Sequence, residues 1–531
     1  MLVIGSGSAG LAAALRSAVA GLRVVILEKS GYLGGTSAMS GAGTWVPANH
    51  HAAVAGLADS PAEALQYLRA ASPAGWEAHE DALWAAFAAN APLMLAFLEK
   101  MTPLRFALTE EPDVMPERAG GKLRGRMVSP LPLRKALLGA YSRKLRRSTL
   151  PHLYTYQEVY DGDLYHRPLR ATLRIAHRLL WRLLTGSRAQ GSALVTGLLK
   201  GCLDHGCSIE LDARVTRLTT DEIGVSGAIV ECEGEARTYR ARRGVVLATG
   251  GFEWDTELRR RYFPGPLDWL GSPRSNTGDG QRMAASVGAA LANMDQANVY
   301  PALPTSYEGA PHGIPAIFQA EPHAIVVDRT GNRFVSEYDF NIGEALDRRD
   351  AGGDPVHLPA WVIAERRFLL QAPPVRWYAR YKPGWLIRAA SLEELAARTG
   401  LPAAALAATV ARYNDFCRAG SDLDYRRGES RWEQFKAGGP NAAMAPIERA
   451  PFFAMPLNRS ILGTKGGART NAKGQVLRAD GTVIAGLYAA GLAMANPIGT
   501  RAVGPGTTIG PNLTWGFICG GTIIDDRRNA G

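Results

Sequence analysis

Cysteines and long apolar segments are both scarce in this sequence, and each shortage excludes a class of protein. The five cysteines form an odd set without a CxxC pair: Cys202, Cys207, Cys232, Cys417 and Cys519. This pattern argues against a disulfide framework, a zinc site and a c-type haem, and it fits a reducing cytoplasm. No apolar run approaches the ~18 residues of a membrane-spanning helix, so we expect none.

Metal-ligand spacings and nucleic-acid-binding motifs are missing as well. The ten histidines show no spacing typical of a metal site, and we expect the adjacent pair His50-His51 in a loop. No basic motif interleaved with aromatic residues occurs, which argues against a nucleic-acid partner. The sequence therefore predicts neither a metal site nor a nucleic-acid interface.

Positive charge is concentrated in one window of the chain. The net charge is +11, and residues 122–188 alone hold fifteen basic and three acidic residues. Within this window Arg170, Arg174, Arg178 and Arg182 recur every four residues, which predicts an amphipathic helix with a basic stripe. Three interpretations stay open: a solvated face, peripheral contact with anionic lipid at the inner face of the membrane, or attraction of an acidic substrate or partner.

The start of the chain carries a dinucleotide-binding fingerprint. A short apolar strand runs into Gly5-Ser6-Gly7-Ser8-Ala9-Gly10, a helix-forming run covers residues 11–20, and a second apolar strand over 23–27 ends at Glu28-Lys29. Gly5 permits the tight turn, Gly7 lets the backbone approach a pyrophosphate, and Gly10 lets helix and strand pack closely. Glu28 can accept hydrogen bonds from an adenosine ribose. The pattern predicts a Rossmann-like α/β domain that binds a dinucleotide.

A second loop of small residues follows and narrows the choice of cofactor. It contains Gly34, Gly35, Thr36, Ser37, Ser40, Gly41 and Gly43. Small residues let the backbone approach a flat ring, and the hydroxyls can meet ribityl or phosphate oxygens. A nicotinamide-dependent dehydrogenase does not need such a loop, whereas a flavoprotein does.

Later segments extend this domain and interrupt it. Short strands around residues 208–230 place Val215 near the adenine edge, and an apolar strand ends in Ala248-Thr249-Gly250-Gly251. Asn276-Thr277-Gly278-Asp279-Gly280 opens a helix with Asp279 as its N-terminal acid. Residues 296–445 lack dinucleotide features and are rich in aromatic residues. We therefore predict an FAD-binding domain from residues 1–295 and 446–531, with an inserted α+β substrate domain over 296–445 that caps it.

The ordered set of motifs resembles one known family. It also includes Gly463-Thr464-Lys465-Gly466-Gly467, Gly486-Leu487-Tyr488-Ala489-Ala490-Gly491 and Thr507-Thr508-Ile509-Gly510-Pro511. The chain resembles the flavoproteins of the fumarate reductase and succinate dehydrogenase family, and specifically the branch of 3-ketosteroid and alicyclic-ketone dehydrogenases. The resemblance implies FAD, usually bound non-covalently, and a reaction at a carbon–carbon bond α,β to a carbonyl. It implies further cofactor contacts at Lys29, Thr249, Gly250, Asn276, Asp279, Gly491, Leu492, Gly506, Thr508 and Ile509.

The chemistry of that branch sets what the site needs. Desaturation sends a hydride to the flavin N5, requires a base for the proton, and requires hydrogen-bond donors for the enolate oxygen. In the ketosteroid branch, tyrosines supply the base and one of the donors. The positions that match those tyrosines hold Val114, Asn341 and Ala502 in this chain.

The remaining catalytic candidates lie in or near the C-terminal motifs. The resemblance implies the Gly506 N–H as an oxyanion donor, and it places Arg501, Lys465, Asn341 and Tyr338 near the flavin. Arg501 either contacts the substrate or forms a structural ion pair, and it is unsuited to act as a base. Lys465 acts through its backbone or its side chain, and Asn341 can donate to a carbonyl.

Several activities fit these residues. Smaller side chains at the tyrosine positions favour the desaturation of a compact ring ketone, with or without a carboxylate. The sequence does not identify the electron acceptor of this reaction. The same motifs fit the reduction of an activated alkene, such as an enone or an unsaturated carboxylate, and a steroid-ketone dehydrogenase with a rearranged site. No cytochrome motif is present to deliver electrons, which favours the oxidative direction. A fourth interpretation is a membrane-surface binding protein in which flavin is a relic.

Overall fold

Parallel strands at the centre of the molecule form the sheet that the fingerprint predicts. In the computed structural model, which describes residues 1–232 and 234–526, this sheet has six strands. Their order across the sheet is Gln475–Leu477, Val483–Ala489, Val245–Leu247, Leu2–Ile4, Val25–Leu27 and Ser208–Glu210. All neighbours pair in parallel except the first two. Every residue of Leu2–Ile4 is buried, as expected for a strand covered on both faces.

Helices rich in small residues pack closely beside this sheet. Helix Ser8–Val19 follows the first strand, and helices Ile509–Asp525 and Gln190–Asp204 pack against it. A Cβ atom on Gly516 would lie 2.1 Å from the Ala9 carbonyl oxygen, so this approach of two helices requires glycine. The close contact holds the two ends of the chain together.

Helix Glu77–Met101 is long enough and apolar enough to cross a membrane by composition. It has 25 residues with a mean hydropathy of 1.4, although charged residues interrupt its apolar run. Half of the apolar stretch is buried inside the protein, where the helix contacts helices Pro61–Ala71 and Ile509–Asp525. It is therefore weak support for a membrane span, because a core helix has the same composition.

A separate antiparallel sheet, which we call the capping sheet, has three of its four strands in the predicted substrate domain. Its strands are, in spatial order, Ala324–Val327, Ala360–Glu365, Phe452–Leu457 and Ile387–Ala389. They share an apolar cluster with helices Leu392–Thr399 and Ala403–Ala419. Strand Phe452–Leu457 lies beyond the predicted boundary at residue 445. By its pairing, this part of the predicted second FAD-binding segment belongs to the capping sheet.

The remaining strands of the described chain form two smaller sheets and four two-stranded ribbons. Two antiparallel three-stranded sheets consist of Ala213–Thr220, Val225–Cys232 and Glu235–Arg240, and of Thr44–Trp45, Met127–Pro130 and Phe106–Leu108. The two-stranded ribbons pair Leu133–Arg134 with Ser187–Arg188, Leu291–Ala292 with Gly467–Ala468, Ala297–Tyr300 with Ser460–Thr464, and Ala302–Tyr307 with Ala310–Pro315.

Short helices complete the described part of the chain. The α-helices are Gly35–Met39, His50–Val54, Tyr156–Tyr160, Thr256–Tyr262, Asp279–Ser286, Ile342–Leu346, Arg366–Gln371, Pro373–Tyr381 and Arg431–Ala437. The 3₁₀ segments are Lys135–Arg143 and Gly491–Ala493. His50 and His51 therefore begin a helix instead of lying in the predicted loop.

The predicted basic helix differs from the expectation in two ways. It is divided at Ile175 into helices Pro168–Arg174 and Ala176–Thr185, because the backbone at this residue leaves the helical region. Arg182 does not join an exposed stripe, since its side chain is buried and donates to both carboxylate oxygens of Glu158 over 2.6 and 2.8 Å. The exposed part of the stripe is Arg170, Arg174 and Arg178.

Candidate functional site

A cleft opens at the carboxyl ends of the parallel strands, where open α/β sheets bind ligands. Residues predicted to bind the cofactor line it from separate parts of the chain. They are Gly5, Ser6, Gly7, Ala9, Glu28, Lys29, Gly35, Thr36, Ser37, Val215, Thr249, Gly250, Asn276, Asp279, Gly491 and Leu492. Ser8, Ala213, Ser275, Met283 and Asn512 also line the cleft and were not predicted. Asn512 directly follows the Thr507–Pro511 motif, which is the signal that could have found it.

The glycines of the fingerprint shape the floor of this cleft. Gly5 has a φ of +106°, and a Cβ atom there would lie 2.3 Å from the Ala248 carbonyl oxygen. A Cβ atom on Gly10 would lie 2.2 Å from the Gly5 carbonyl oxygen, so Gly10 supports the turn from beneath and does not line the cleft. At Gly7 the nearest atom would be the Ser37 Oγ at 3.8 Å, which leaves ordinary contact space in front of the helix N-terminus. No acidic residue occupies the first turn of this helix, so the end stays favourable for an anion.

Glu28 is fixed by hydrogen bonds from the fingerprint turn. Its Oε2 accepts from the Ser6 N–H and hydroxyl over 3.1 and 2.6 Å, and its Oε1 accepts from the Ser30 N–H over 3.0 Å. The Ser6 hydroxyl in turn accepts from the Gly34 N–H over 2.9 Å. Since each carboxylate oxygen has two lone pairs, Glu28 retains acceptor capacity on Oε1 for a ribose hydroxyl.

Lys29 and Asp279 meet across the cleft. The Lys29 ammonium donates to the Thr277 hydroxyl over 2.6 Å and to the Asp279 carboxylate over 2.8 Å. Asp279 lies in the first turn of helix Asp279–Ser286, as the sequence predicts. The pair ties the second strand of the fingerprint to the motif at residues 276–280.

Glu253 connects two of the glycine motifs through hydrogen bonds, and the sequence prediction missed it. This buried carboxylate accepts from the Asn276 amide over 2.7 Å and from the Thr464 N–H and hydroxyl over 3.1 Å each. The Asn276 amide also donates to the Thr36 hydroxyl over 3.1 Å. Glu253 lies two residues after Gly251, and an acid close behind two glycines was the available signal.

A second group of predicted cofactor residues lies outside this cleft. It comprises Gly34, Ser40, Gly41, Gly43, Gly506, Thr508 and Ile509. The loops that carry Gly43 and Gly506 touch, because a Cβ atom on Gly506 would lie 2.6 Å from the Gly43 carbonyl oxygen. Thr508 accepts a hydrogen bond from the Asn298 amide over 3.0 Å. The two loops therefore form one surface next to the cleft.

Asn341, which the sequence analysis matches to a family tyrosine, contacts the backbone of Ala502. Its amide donates to the Ala502 carbonyl over 3.0 Å and accepts from the Ala502 N–H over 2.8 Å. The residues at positions 341 and 502 thus bind one another. These contacts use one N–H and one lone pair of the Asn341 amide, so they fix its orientation and leave its second N–H available.

The other catalytic candidates have structural partners. Arg501 donates to Glu344 over 2.8 Å in a half-exposed ion pair. The Lys465 ammonium is buried and donates to the Gly499 carbonyl over 2.6 Å; burial lowers its pKa to about 7. Tyr338 is buried, and its hydroxyl finds no hydrogen-bond partner in the described residues.

A group of polar side chains that the sequence did not single out lies beside Gly43. The ring of Tyr156 is 3.0 Å from the place a Cβ atom on Gly43 would take. Tyr160 stacks near it, with 4.4 Å between the ring centres, and the Lys436 ammonium lies 4.6 Å from the centre of the Tyr160 ring. Glu111 is buried beside them, and its Oε2 accepts no hydrogen bond within residues 1–232 and 234–526. No local motif joins these residues.

Three surface side chains elsewhere could hold a cation by their placement. His50 and His51 both contact Glu99, over 2.6 and 3.1 Å, and the three candidate ligand atoms lie within 4.8 Å of one another. The Glu99 carboxylate also accepts from the Phe106 N–H over 2.8 Å. Both histidine rings are hydrogen-bonded to Glu99, and His50 follows Gly43 by seven residues in the chain.

Residues 1–509 match the model of a family described as an FAD binding domain. The chain belongs to this family of FAD-binding flavoproteins. It is 34% identical to a 3-oxosteroid 1-dehydrogenase of Mycobacterium tuberculosis, over 99% of this chain and 98% of the relative. It is 35% identical to a 4-oxocyclohexanecarboxylate 2-dehydrogenase of Sinomonas cyclohexanicum, over 98% and 92%. The crystal structure of a 3-ketosteroid Δ1-dehydrogenase from Sterolibacterium denitrificans matches with a TM-score of 0.88 and 30% identity, covering 99% of each chain.

The residues of the cleft fit FAD. The Thr249 hydroxyl and the Asn512 Oδ1 are buried at its wall, and neither has a hydrogen-bond partner within the described chain. Buried polar atoms without partners are costly, so a ligand with its own donors and acceptors is needed there. The helix N-terminus at Gly7 suits the pyrophosphate, and Glu28 suits the ribose. FAD is the cofactor, and the chain is a dehydrogenase of the class that acts on CH–CH groups.

Proposed function

We propose that this protein desaturates the carbon–carbon bond next to the ketone of a compact ring substrate. The similar proteins named above act on ring ketones, either steroids or 4-oxocyclohexanecarboxylate. A second Sinomonas relative, 32% identical, is a 4-oxocyclohex-2-ene-1-carboxylate 5-dehydrogenase. The shared chemistry is loss of a hydride and a proton from neighbouring carbons beside a carbonyl. FAD supplies the hydride acceptor when it is bound.

The observation that carries this proposal is the backbone N–H of Gly506. It donates to no acceptor among the described residues, while the Gly506 carbonyl accepts from the Trp45 and Gly510 N–H groups over 3.3 and 2.9 Å. The residue has a φ of +75° and is held between the Gly43 loop and helix Ile509–Asp525. A fixed N–H without a protein acceptor is suited to bind the ketone oxygen as it gains negative charge. Asn341 supports this position by bracing Ala502.

Tyr156 is the proposed proton acceptor, in place of the family tyrosines. Its ring packs against Gly43, and Gly43 contacts Gly506, so the phenol and the oxyanion donor belong to one surface. Burial raises the pKa of the Tyr156 phenol well above 10, and the nearby Glu111 carboxylate raises it further. A phenolate is therefore not populated in advance, and the phenol needs a second group to take its own proton.

Glu111 is suited to take that proton. Burial raises the pKa of this carboxyl to about 7, while the Lys436 ammonium and the Tyr156 hydroxyl oppose the rise. In the proposed step the substrate C–H bond breaks as its proton joins the Tyr156 oxygen, and the Tyr156 O–H proton moves to Glu111. A carboxylate with a pKa near the working pH is well matched to this task. The charge lost at Glu111 reappears on the ketone oxygen, where Gly506 donates.

The size of the substrate follows from the exchanged tyrosines. Alanine and asparagine occupy two of the matching positions, and Asn341 and Ala502 bind one another. Arg501 is already paired with Glu344, so it does not by itself call for a carboxylate on the substrate. These contacts support a compact ring ketone and leave its further substituents open.

Anaerobic titration of the purified FAD-bound protein with ketones tests the proposal. Monocyclic ketones are expected to bleach the visible flavin absorbance faster than steroid ketones, and each bleaching event should release one enone. Faster conversion of steroid ketones would overturn the compact substrate. Reoxidation of dithionite-reduced enzyme by an enone, with no bleaching of oxidised enzyme by any ketone, would instead assign the protein to alkene reduction.

A further inference from the structure

Helices Pro168–Arg174 and Ala176–Thr185 expose the apolar side chains that amphipathic helices normally bury. The exposed residues are Leu169, Leu173, Leu180, Trp181, Leu183 and Leu184, and Leu169 is 81% exposed. A few isolated apolar residues on a surface need no explanation, but a contiguous group of this size marks an interaction site. We call this helix pair with its exposed leucines and Trp181 the leucine face.

In this helix pair a charged side chain is buried while leucines are exposed, which is the reverse of the usual arrangement in a globular protein. Arg182 is 6% exposed and donates to the Glu158 carboxylate and to the Leu153 carbonyl, each over 2.6 Å. The Tyr154 hydroxyl is 2.9 Å from the Thr172 hydroxyl and forms a second attachment. The pair is thus fixed to the protein through polar contacts, which directs its leucines outward. The rest of the described chain leaves these leucines exposed.

The charges around the leucine face indicate which partner fits. Arg170, Arg174 and Arg178 are exposed on these two helices, and Arg167 directly precedes them. Arg167 and Arg178 lie 3.6 and 3.7 Å from Asp163 and Glu158, whereas Arg170 and Arg174 have no ion-pair partner within residues 1–232 and 234–526. No acidic residue occurs between residues 164 and 203. A helix with leucines and a tryptophan on one side and arginines at its margins is typical of segments that lie in the interface of an anionic bilayer. Arginine side chains can reach the phosphates while their stems remain in apolar surroundings. An anionic leaflet of this kind faces the cytoplasm.

We propose that the leucine face docks on the surface of an anionic lipid bilayer. Leu169, Leu173, Leu180, Trp181 and Leu184 enter the boundary of headgroups and acyl chains, and the exposed arginines bind lipid phosphates. Helix Tyr156–Tyr160 precedes the leucine face in the chain, so the membrane contact lies close in sequence to the proposed proton acceptor. The docking does not depend on the identity of the substrate, because it uses none of the residues that line the cleft.

Sedimentation of the FAD-bound protein with vesicles tests the docking. The vesicles contain phosphatidylcholine alone or with about 30% phosphatidylglycerol as the anionic lipid. The unaltered protein is expected to sediment with the anionic vesicles and to be released by high salt, because surface charges are screened. The triple variant L173Q/L180Q/L184Q should bind these vesicles at least about tenfold more weakly, since it removes most of the buried apolar area. R170Q/R174Q/R178Q should lose the preference for anionic over neutral vesicles.

A matched control replaces equally exposed apolar residues elsewhere. Val54, Leu370 and Leu423 are 90%, 63% and 77% exposed, a range similar to the 75%, 58% and 73% of the leucines in the first variant. V54Q/L370Q/L423Q should therefore bind vesicles like the unaltered protein. All variants should keep their bound FAD, which shows that they are folded. Absence of vesicle binding by the unaltered protein, or equal binding by both triple variants, would overturn the proposal. A change of oligomeric state in L173Q/L180Q/L184Q without loss of vesicle binding would instead assign the face to contact between copies of this chain.

Discussion

The cofactor cleft and the surface around Gly506 are adjacent, yet they obtain their function in different ways. The floor of the cleft depends on backbone shape, which glycines at fixed spacing in the fingerprint segment produce, while its walls come from several other segments. The surface around Gly506 depends on side chains that come from distant segments, such as Glu111, Tyr156 and Asn341. Backbone-based sites can therefore persist while side-chain constellations beside them are replaced. Our matching of Val114, Asn341 and Ala502 to the family tyrosines, next to glycine motifs that keep the family pattern, is an example.

The most severe test of the cleft is the variant G10A. A Cβ atom at this position would lie 2.2 Å from the Gly5 carbonyl oxygen, a backbone atom that cannot move without disturbing the turn. We expect the purified variant to contain less than about a tenth of the normal FAD and to unfold at a lower temperature, because overpacking costs roughly 1–3 kcal/mol or more. Flavin absorbance after gel filtration and a thermal unfolding curve measure the two effects.

The control for G10A is G521A. Gly521 lies in helix Ile509–Asp525, and a Cβ atom there meets nothing within 4 Å. Alanine should be tolerated or slightly stabilising, by less than about 1 kcal/mol, since it favours helix. Normal FAD content in both variants would show that the close approach of Gly10 to the turn is dispensable.

The surface around Gly506 is tested next by Y156F. Loss of the phenol oxygen should lower kcat by about 100-fold or more with bound FAD unchanged, since general acid–base groups typically contribute about 10²–10⁴. Stopped-flow bleaching of the flavin by a reactive ketone measures this step. The reverse reaction, reoxidation of reduced enzyme by the enone, should slow by the same factor.

Tyr32 provides the matched control for Y156F. Tyr32 is 48% exposed, and the Arg146 guanidinium lies 5.6 Å from the centre of its ring. Y32F should leave the bleaching rate within about twofold, as expected for a surface change. If the flavin of Y156F bleaches at the normal rate, Tyr156 is not the group that accepts the substrate proton.

The two regions also differ in how far the sequence predicted them. The strands, the first helix and most residues of the cleft follow from local patterns, because one glycine motif determines one turn. Glu253 was missed, since its partners Asn276 and Thr464 are distant in the chain. Arg182 was assigned to an exposed stripe, and only its contact with Glu158 shows that it is buried. The pairing of Asn341 with Ala502 and the approach of Tyr156 to Gly43 are tertiary contacts with no local signal.

The pH dependence of flavin bleaching sharpens the role of Glu111. The carboxyl must be ionised to accept a proton, and its pKa is raised to about 7 by burial, so the rate should rise with pH through this value. From pH 6 to pH 8 the ionised fraction increases roughly tenfold, and the rate should follow. The charged or titratable groups that face Glu111 are Lys436, Tyr156 and Asp161.

A second group titrates in the same range and must be separated from Glu111. Burial lowers the pKa of Lys465 to about 7, so its charge also changes between pH 6 and pH 8. E111Q should be slow and independent of pH, whereas K465M should keep the rise with pH if it retains FAD. A pH-independent K465M would transfer the titration to the lysine.

The smallest effect is expected from R501Q, which decides between the two roles that the sequence left open for this arginine. Arg501 pairs with Glu344 over 2.8 Å, and both side chains are about one-third exposed, at 38% and 32%. An ion pair with this exposure contributes about 0–1 kcal/mol, so the free energy of unfolding should fall by less than about 1 kcal/mol. A double-mutant cycle with E344Q measures this coupling. KM for an uncharged ring ketone and for one bearing a carboxylate should both change less than about threefold. If only the carboxylate substrate loses affinity, by about tenfold or more, Arg501 binds the substrate and Glu344 is the group that holds it in place.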